Sequence, residues 1–152
     1  MSRLEPTHYA SYDLSISIKK PRALVWKALT QETNDWWLPD FHMVGTGSVV
    51  TLTAEAGGQL VEKLEGGGSL LWFTVCMVDP GKSLHLVGQS FPEWGGPATT
   101  MLKLAIKDDA DSCKLIISDA IVGRVTDSSL TSLRDGWLEL FTKGLKAHCE
   151  AK

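Results

Sequence analysis

A strong charge of one sign, long apolar runs and paired cysteines are all missing from this chain, and each absence removes a class of function. Net charge is −3 with a pI near 5.8, so nothing in the totals draws the chain to nucleic acid or to an anionic membrane. No stretch approaches the ~18 consecutive apolar residues of a membrane span. The opening MSRLEPTHYASYD has no apolar core of signal-peptide length, so membrane insertion is not expected and the cytoplasm is the expected location. The three cysteines, Cys76, Cys113 and Cys149, are odd in number, widely spaced and without a CxxC pair, which indicates reduced thiols rather than disulfides or zinc ligands. The four histidines are equally scattered. HExxH, GxSxG and GxxxxGK[ST] are absent, so no metal, cofactor or catalytic residue is assigned.

What is present suits one globular domain, residues 1–152 with an ordered core of about 12–150: 43% hydrophobic and 22% charged residues over 152 positions provide for one sizeable core. The longest periodic stretch is the last, Asp127 to Glu150. At about 100° per residue, Leu130, Leu133, Trp137, Leu140, Phe141, Leu145 and His148 share one side of a helix. Ser132, Glu139, Lys143, Lys146 and Glu150 fall opposite. Asp127 or Ser128 offers the N-cap, and Lys143, Lys146 and His148 complement the dipole at the other end. Arg134 falls inside the apolar sector, and Gly144 removes a side chain from it. Either the stripe covers a hollow with a charged group near one end, or Arg134 snorkels to water and Gly144 admits a neighbouring strand.

Upstream the pattern alternates with period two. Leu14, Ile16 and Ile18 define a strand over Tyr12–Lys19; Pro21 then opens a helix in PRALVWKALTQ, and a second short turn carries Trp36, Trp37, Leu38 and Phe41. Six further strands are expected near 48–54, 58–65, 69–78, 83–90, 99–107 and 113–122. Their short glycine-rich turns imply antiparallel pairing. Leu102, Leu104 and Ile106, and likewise Leu115, Ile117 and Ile121, should face the core. Asp119 and Glu62 share those inner faces, and a buried carboxylate demands a partner, water or a cavity. In 69–78, parity puts Trp72, Cys76 and Val78 on one face and Leu71, Phe73, Val75 and Met77 on the other. The second face is either covered within the domain or a homodimer surface. Trp94 projects from a glycine-flanked loop, as a lid or packed on its own domain.

The order strand, two short helices, six strands, long helix is the helix-grip plan, an α+β fold in which a curved seven-stranded antiparallel sheet wraps a C-terminal helix. KKPRALVWKALTQ, GGQLVEKLEGG, MVDPGKSLHLV and RDGWLELFTKGLKAH together resemble START-like SRPBCC domains, particularly the branch related to the activator of the heat-shock protein 90 ATPase. Asp119 stands where that branch commonly carries His or Glu. The resemblance implies a cavity between sheet and terminal helix that in relatives accepts lipids, sterols, polyketides or hormones. The expected role is non-catalytic binding of a small hydrophobic or amphipathic molecule by Trp36, Trp37, Leu60, Glu62, Trp72, Leu86, Trp94, Leu104, Asp119, Arg134, Trp137 and Phe141. Against the open cavity stands a filled core closed by an Asp119–Arg134 salt bridge. Two other roles stand beside the binder: a cyclase, lyase or hydrolase using Asp119 and Glu62, and a chaperone partner suggested by the resemblance alone.

Overall fold

Alternation of apolar and polar residues produces seven strands: β1 (His8–Ile18), β2 (Val49–Leu52), β3 (Gln59–Lys63), β4 (Ser69–Asp79), β5 (Ser83–Ser90), β6 (Ala98–Asp109) and β7 (Ser112–Gly123). The computed structural model describes residues 1–152. All pairings are antiparallel, in the order β1-β7-β6-β5-β4-β3-β2, so the chain's first strand closes against its last. β1 begins four residues before the expected Tyr12, because His8 to Ser11 find partners in Ala120 to Gly123. Helices α1 (Arg22–Gln31) and α2 (Thr33–Trp36) follow β1, and α3 (Asp127–Glu139) follows β7. α3 runs directly into a π-helical stretch (Leu140–Lys146) and then α4 (Ala147–Glu150), together one terminal helix.

The terminal helix starts one residue earlier than its periodicity suggests. Thr126, not Asp127 or Ser128, is the N-cap, and it exchanges bonds with Ser129 in a capping box, 3.1 Å and 3.0 Å. Leu140, Phe141, Leu145 and Cys149 are buried beneath it. Gly144 makes neither a hollow nor room for a strand: a Cβ there would stand 2.5 Å from the Trp36 carbonyl oxygen, so the glycine lets the backbone of α2 rest on the terminal helix. The π-helical stretch spans this contact.

Strand β4 departs from simple alternation. Its pairing slips by one residue against β3 between Leu60 and Val61, and against β5 between Val75 and Met77. Each bulge flips the faces of the residues beyond it, so Trp72, Phe73, Val75 and Val78 all turn at least partly inward. Leu71, Cys76 and Met77 are exposed. The expected division of this strand into two faces is therefore wrong at Cys76, Phe73 and Val75, and the second face is only partly covered. Gly88 on β5 leaves the space that Phe73 fills, since a Cβ there would meet the Phe73 ring at 2.7 Å.

The end of the terminal helix is fastened by charge. Glu32, after α1, accepts from Lys152 Nζ at 2.7 Å and lies 2.8 Å from His148 Nε2. These bonds, Lys152 first, hold its carboxyl down to about 2 from an ordinary 4.5. A depressed acid stabilises the fold above its unfolded value and loses that contribution as pH falls toward its folded one. Stability is therefore expected to decline between about pH 4.5 and 2, and Glu32→Gln should shallow that decline in urea melts taken across the range. Glu150, held down mainly by the Lys19 amide, titrates on the same side, so the slope is reduced and not abolished.

Candidate functional site

The space between sheet and terminal helix is lined by aromatic rings in continuous contact. Trp72 meets Trp37 at 5.2 Å, Trp37 meets Trp36 at 5.8 Å, Trp36 meets Phe141 at 5.8 Å, Phe141 meets Trp137 at 5.9 Å, and Trp137 meets Phe73 at 5.7 Å between centroids. Trp36 and Trp37 can be buried because their indole N–H groups donate to Ala28 O at 2.8 Å and Phe41 O at 3.0 Å. Seven expected ligand residues, Trp36, Trp37, Leu60, Leu86, Leu104, Trp137 and Phe141, do meet at one place. What remains between them is a void of about 20 Å³ bordered by apolar side chains and Thr33, about one water in size. The expected chamber under the middle of the helix is filled by the side chains meant to line it.

Room exists at one end instead. A cavity of about 90 Å³ lies where the first turns of α3 (Ser129, Leu130, Leu133) pass over the ends of β6 and β7 (Thr100, Ile121) and beside Trp94. Trp94 sits on a short 3-10 turn (Pro92–Trp94), 57% exposed and edge-on to an equally exposed Phe91 at 5.4 Å. Arg134 does not enter this cavity; it is exposed and lies 3.5 Å from Asp135. The Asp119–Arg134 salt bridge is not formed.

Asp119 has a different partner. It is 2% exposed on the inner face of β7, and Tyr12, opposite it on β1, donates its hydroxyl to Asp119 Oδ2 at 2.8 Å. Burial raises the carboxyl's pKa, and the Tyr12 hydroxyl bond and the nearby N–H groups of the Trp137 indole and the Ala120 backbone, which do not close bonds with it, offset only part of that. Burial and the neighbouring Asp119 charge likewise push the Tyr12 phenol up. Asp119 Oδ1 has no partner. Tyr12 shares even parity with Leu14 and Ile16, so its inward direction was open to the same reading that placed those two.

Glu62 is a separate site: the sequence marks it as a buried acid in need of partners but does not show which they are. Fully buried, its Oε2 accepts from Met43 N at 2.8 Å, Val44 N at 3.0 Å and Ser48 Oγ at 2.7 Å, while Oε1 accepts from Trp72 Nε1 at 3.1 Å. Burial alone would raise its pKa, but these donors outweigh it and the carboxyl is held below its usual range. Ser48 spends its only proton on Glu62, so at 2.8 Å it accepts from His42 Nδ1, which fixes the histidine tautomer with a proton on that nitrogen. The network pins the 42–48 segment to β3. An ionised, sealed carboxylate with every approach taken by a donor cannot give or take a proton in turnover. Nor are the buried thiols nucleophiles: burial pushes Cys149 up to about 11 and raises Cys113.

Comparison with known family models finds no match, and none of the curated proteins matches. Solved structures do. An uncharacterised protein from Rhizobium leguminosarum superposes with a TM-score of 0.71 at 13% identity, over 97% of this chain and 98% of that one. Ara h 8.0201 gives 0.69 at 9% identity over 95% and 100%, and CalU16 from Micromonospora echinospora gives 0.61 at 17% over 91% and 83%. The fold is a START-like helix grip. The START-like fold fixes where sheet and helix face one another, and at these identities it carries no activity across.

Proposed function

We propose that the protein is a non-catalytic binder of a small, mostly apolar molecule, taken up between the sheet and the first turns of the terminal helix. The observation that carries this is the 90 Å³ cavity, where apolar side chains share the wall with Ser90, Ser129, Arg124 and Thr100, the last with its hydroxyl buried without a partner. A concave apolar space with a few convergent polar groups is the usual form of a ligand site. Its size limits the occupant. Cavities of about 150 Å³ hold benzene, so a ligand larger than a few carbons needs the Phe91–Trp94 loop or Leu130 to move aside. Lipids and polyketides of full size have no room in the filled centre.

Absence of turnover is part of the same reading. Glu62 is sealed, Cys113 and Cys149 are neutral thiols, and the other buried acid, Asp119, is hydrogen-bonded to Tyr12 alone. The ordered motifs from Tyr12 to His148 support a place in the branch resembling the activator of the heat-shock protein 90 ATPase, without implying a chaperone partner.

Leu130→Trp tests the site. A ligand that binds only the folded state raises Tm by mass action, so short alcohols, ketones and haloalkanes at millimolar concentration should raise the wild-type Tm. The tryptophan variant, which fills the chamber from the half-buried Leu130 position, should stay folded and not respond. A wild type indifferent to the whole panel, or a variant that responds equally, would overturn the proposal.

A further inference from the structure

Three polar atoms near the chamber are buried without a hydrogen-bond partner: Thr100 Oγ1, Asp119 Oδ1 and Trp137 Nε1. Their residues are 8%, 2% and 7% exposed. A buried polar atom without a partner destabilises the fold, and folded proteins leave few of them. One of the three lines the chamber; the other two lie next to it along the sheet and the terminal helix, Trp137 on the central 20 Å³ void. Thr100 is on the chamber wall, opposite Ile121; the next inward rung of the same strands sets Leu102 opposite Asp119. Thr100 and Asp119 are thus diagonal neighbours, about 7–8 Å apart along the backbone. Trp137 stands one helical turn beyond Leu133, which lines the chamber. Its indole N–H approaches Asp119 closely enough to favour the ionised carboxyl but closes no bond with it.

We infer that the polar end of the ligand is a neutral hydroxyl, which donates to Asp119 Oδ1 and accepts from Trp137 Nε1–H, with the Thr100 hydroxyl beside its path. The inference rests on the chamber being the ligand site. Its basis is the inventory of what is unpaired: one acceptor, one donor, and one group that is both. A hydroxyl answers both, since it gives one proton and accepts on its lone pairs. A carboxylate only accepts and would set a second anion beside Asp119; the one cation on the chamber wall, Arg124, is exposed and already paired with Glu5 at 3.6 Å. An ammonium only donates and would leave the Trp137 N–H orphaned. The protein already holds one example of the arrangement, because the Tyr12 phenol donates to the other oxygen of the same carboxyl at 2.8 Å. With Asp119 bound in this way, the ligand's carbon tail lies in the chamber among Leu130, Leu133 and Ile121, and Leu133, half-buried, turns aside to admit the head.

The experiment is a titration of ¹⁵N-labelled protein with four probes of one size: 1-pentanol, n-pentylammonium, pentanoate and 1-chloropentane. Two hydrogen bonds of about 0.5–1.5 kcal/mol each give pentanol roughly tenfold or greater preference over the other three. Pentanol should also move the Trp137 indole N–H resonance, identified by its loss in Trp137→Phe. That variant keeps the ring and drops the donor, so pentanol should weaken several-fold while chloropentane is unchanged; Asp119→Leu should erase the preference, and if it does not fold Trp137→Phe decides. Equal affinities for all four probes, or pentanol binding with the Trp137 resonance unmoved, would overturn the hydroxyl assignment and leave the chamber standing. Binding by none of them would overturn the chamber itself.

Discussion

Glu62→Ala is expected to destabilise the fold by about 3–5 kcal/mol, the scale for removing one partner from a buried charged network. Two backbone N–H groups, the Ser48 hydroxyl and the Trp72 indole all donate to this side chain, and alanine leaves them buried around a hole with nothing to accept. Glu62→Gln discriminates between charge and shape. Both carboxylate oxygens receive donors, so whichever way the amide turns, its NH₂ meets another donor. A cost of about 2–3 kcal/mol is expected despite the matched volume. Urea midpoints with an unchanged m-value are the measurement. If Glu62→Gln melts like the wild type, the network does not hold the 42–48 segment. The folded pKa is depressed, so the network's contribution is complete above the ordinary glutamate range and is lost on acidification below it.

The strands and the terminal helix were legible because their signal is local. Leu102, Leu104 and Ile106, or Leu14, Ile16 and Ile18, announce a buried face through period two alone, and each is buried as expected. β4 failed where locality fails: nothing in SLLWFTVCMV marks the two bulges that turn Trp72, Phe73 and Val75 to the same side, because a bulge is a property of the pairing with β3 and β5. Glu62 and Asp119 could be flagged as buried acids needing partners. Those partners lie 14 to 19 residues away for Ser48, Val44 and Met43 and 107 away for Tyr12, and no periodicity connects them.

The choice between an open chamber and a filled core was left undecided for a related reason. A set of large inward residues is consistent with both a wall around a space and the filling of that space, and the choice depends on ring orientation. Here the rings of Trp36, Trp37, Trp72, Trp137, Phe73 and Phe141 meet at 5.2–5.9 Å, contact distance for aromatic pairs, and they consume the volume. The open space therefore lies not under the middle of the helix but at its N-terminal turns, where Leu130, Leu133 and Ser129 face strand ends and Trp94 is the one aromatic on the wall.

Trp137→Ala measures the same point directly. Trp137 is 7% exposed and packed between Phe141 and Phe73, and only about 20 Å³ lies near it. Its removal should therefore create a new cavity and cost about 3–5 kcal/mol. Had the residue lined a water-filled chamber, the loss would be far smaller, since solvent would take up the space. Trp137→Phe separates packing from polarity: it keeps most of the ring and removes an indole N–H that has no partner, so the lost area and the relieved orphan oppose one another and the net cost should stay under about 1.5 kcal/mol. The pair of variants, measured by chemical unfolding without ligand, also calibrates the binding experiment. A Trp137→Ala cost under about 1 kcal/mol, well below the scale for a packed aromatic, would mean that the centre is open after all, and the occupant would then be larger than the end chamber allows.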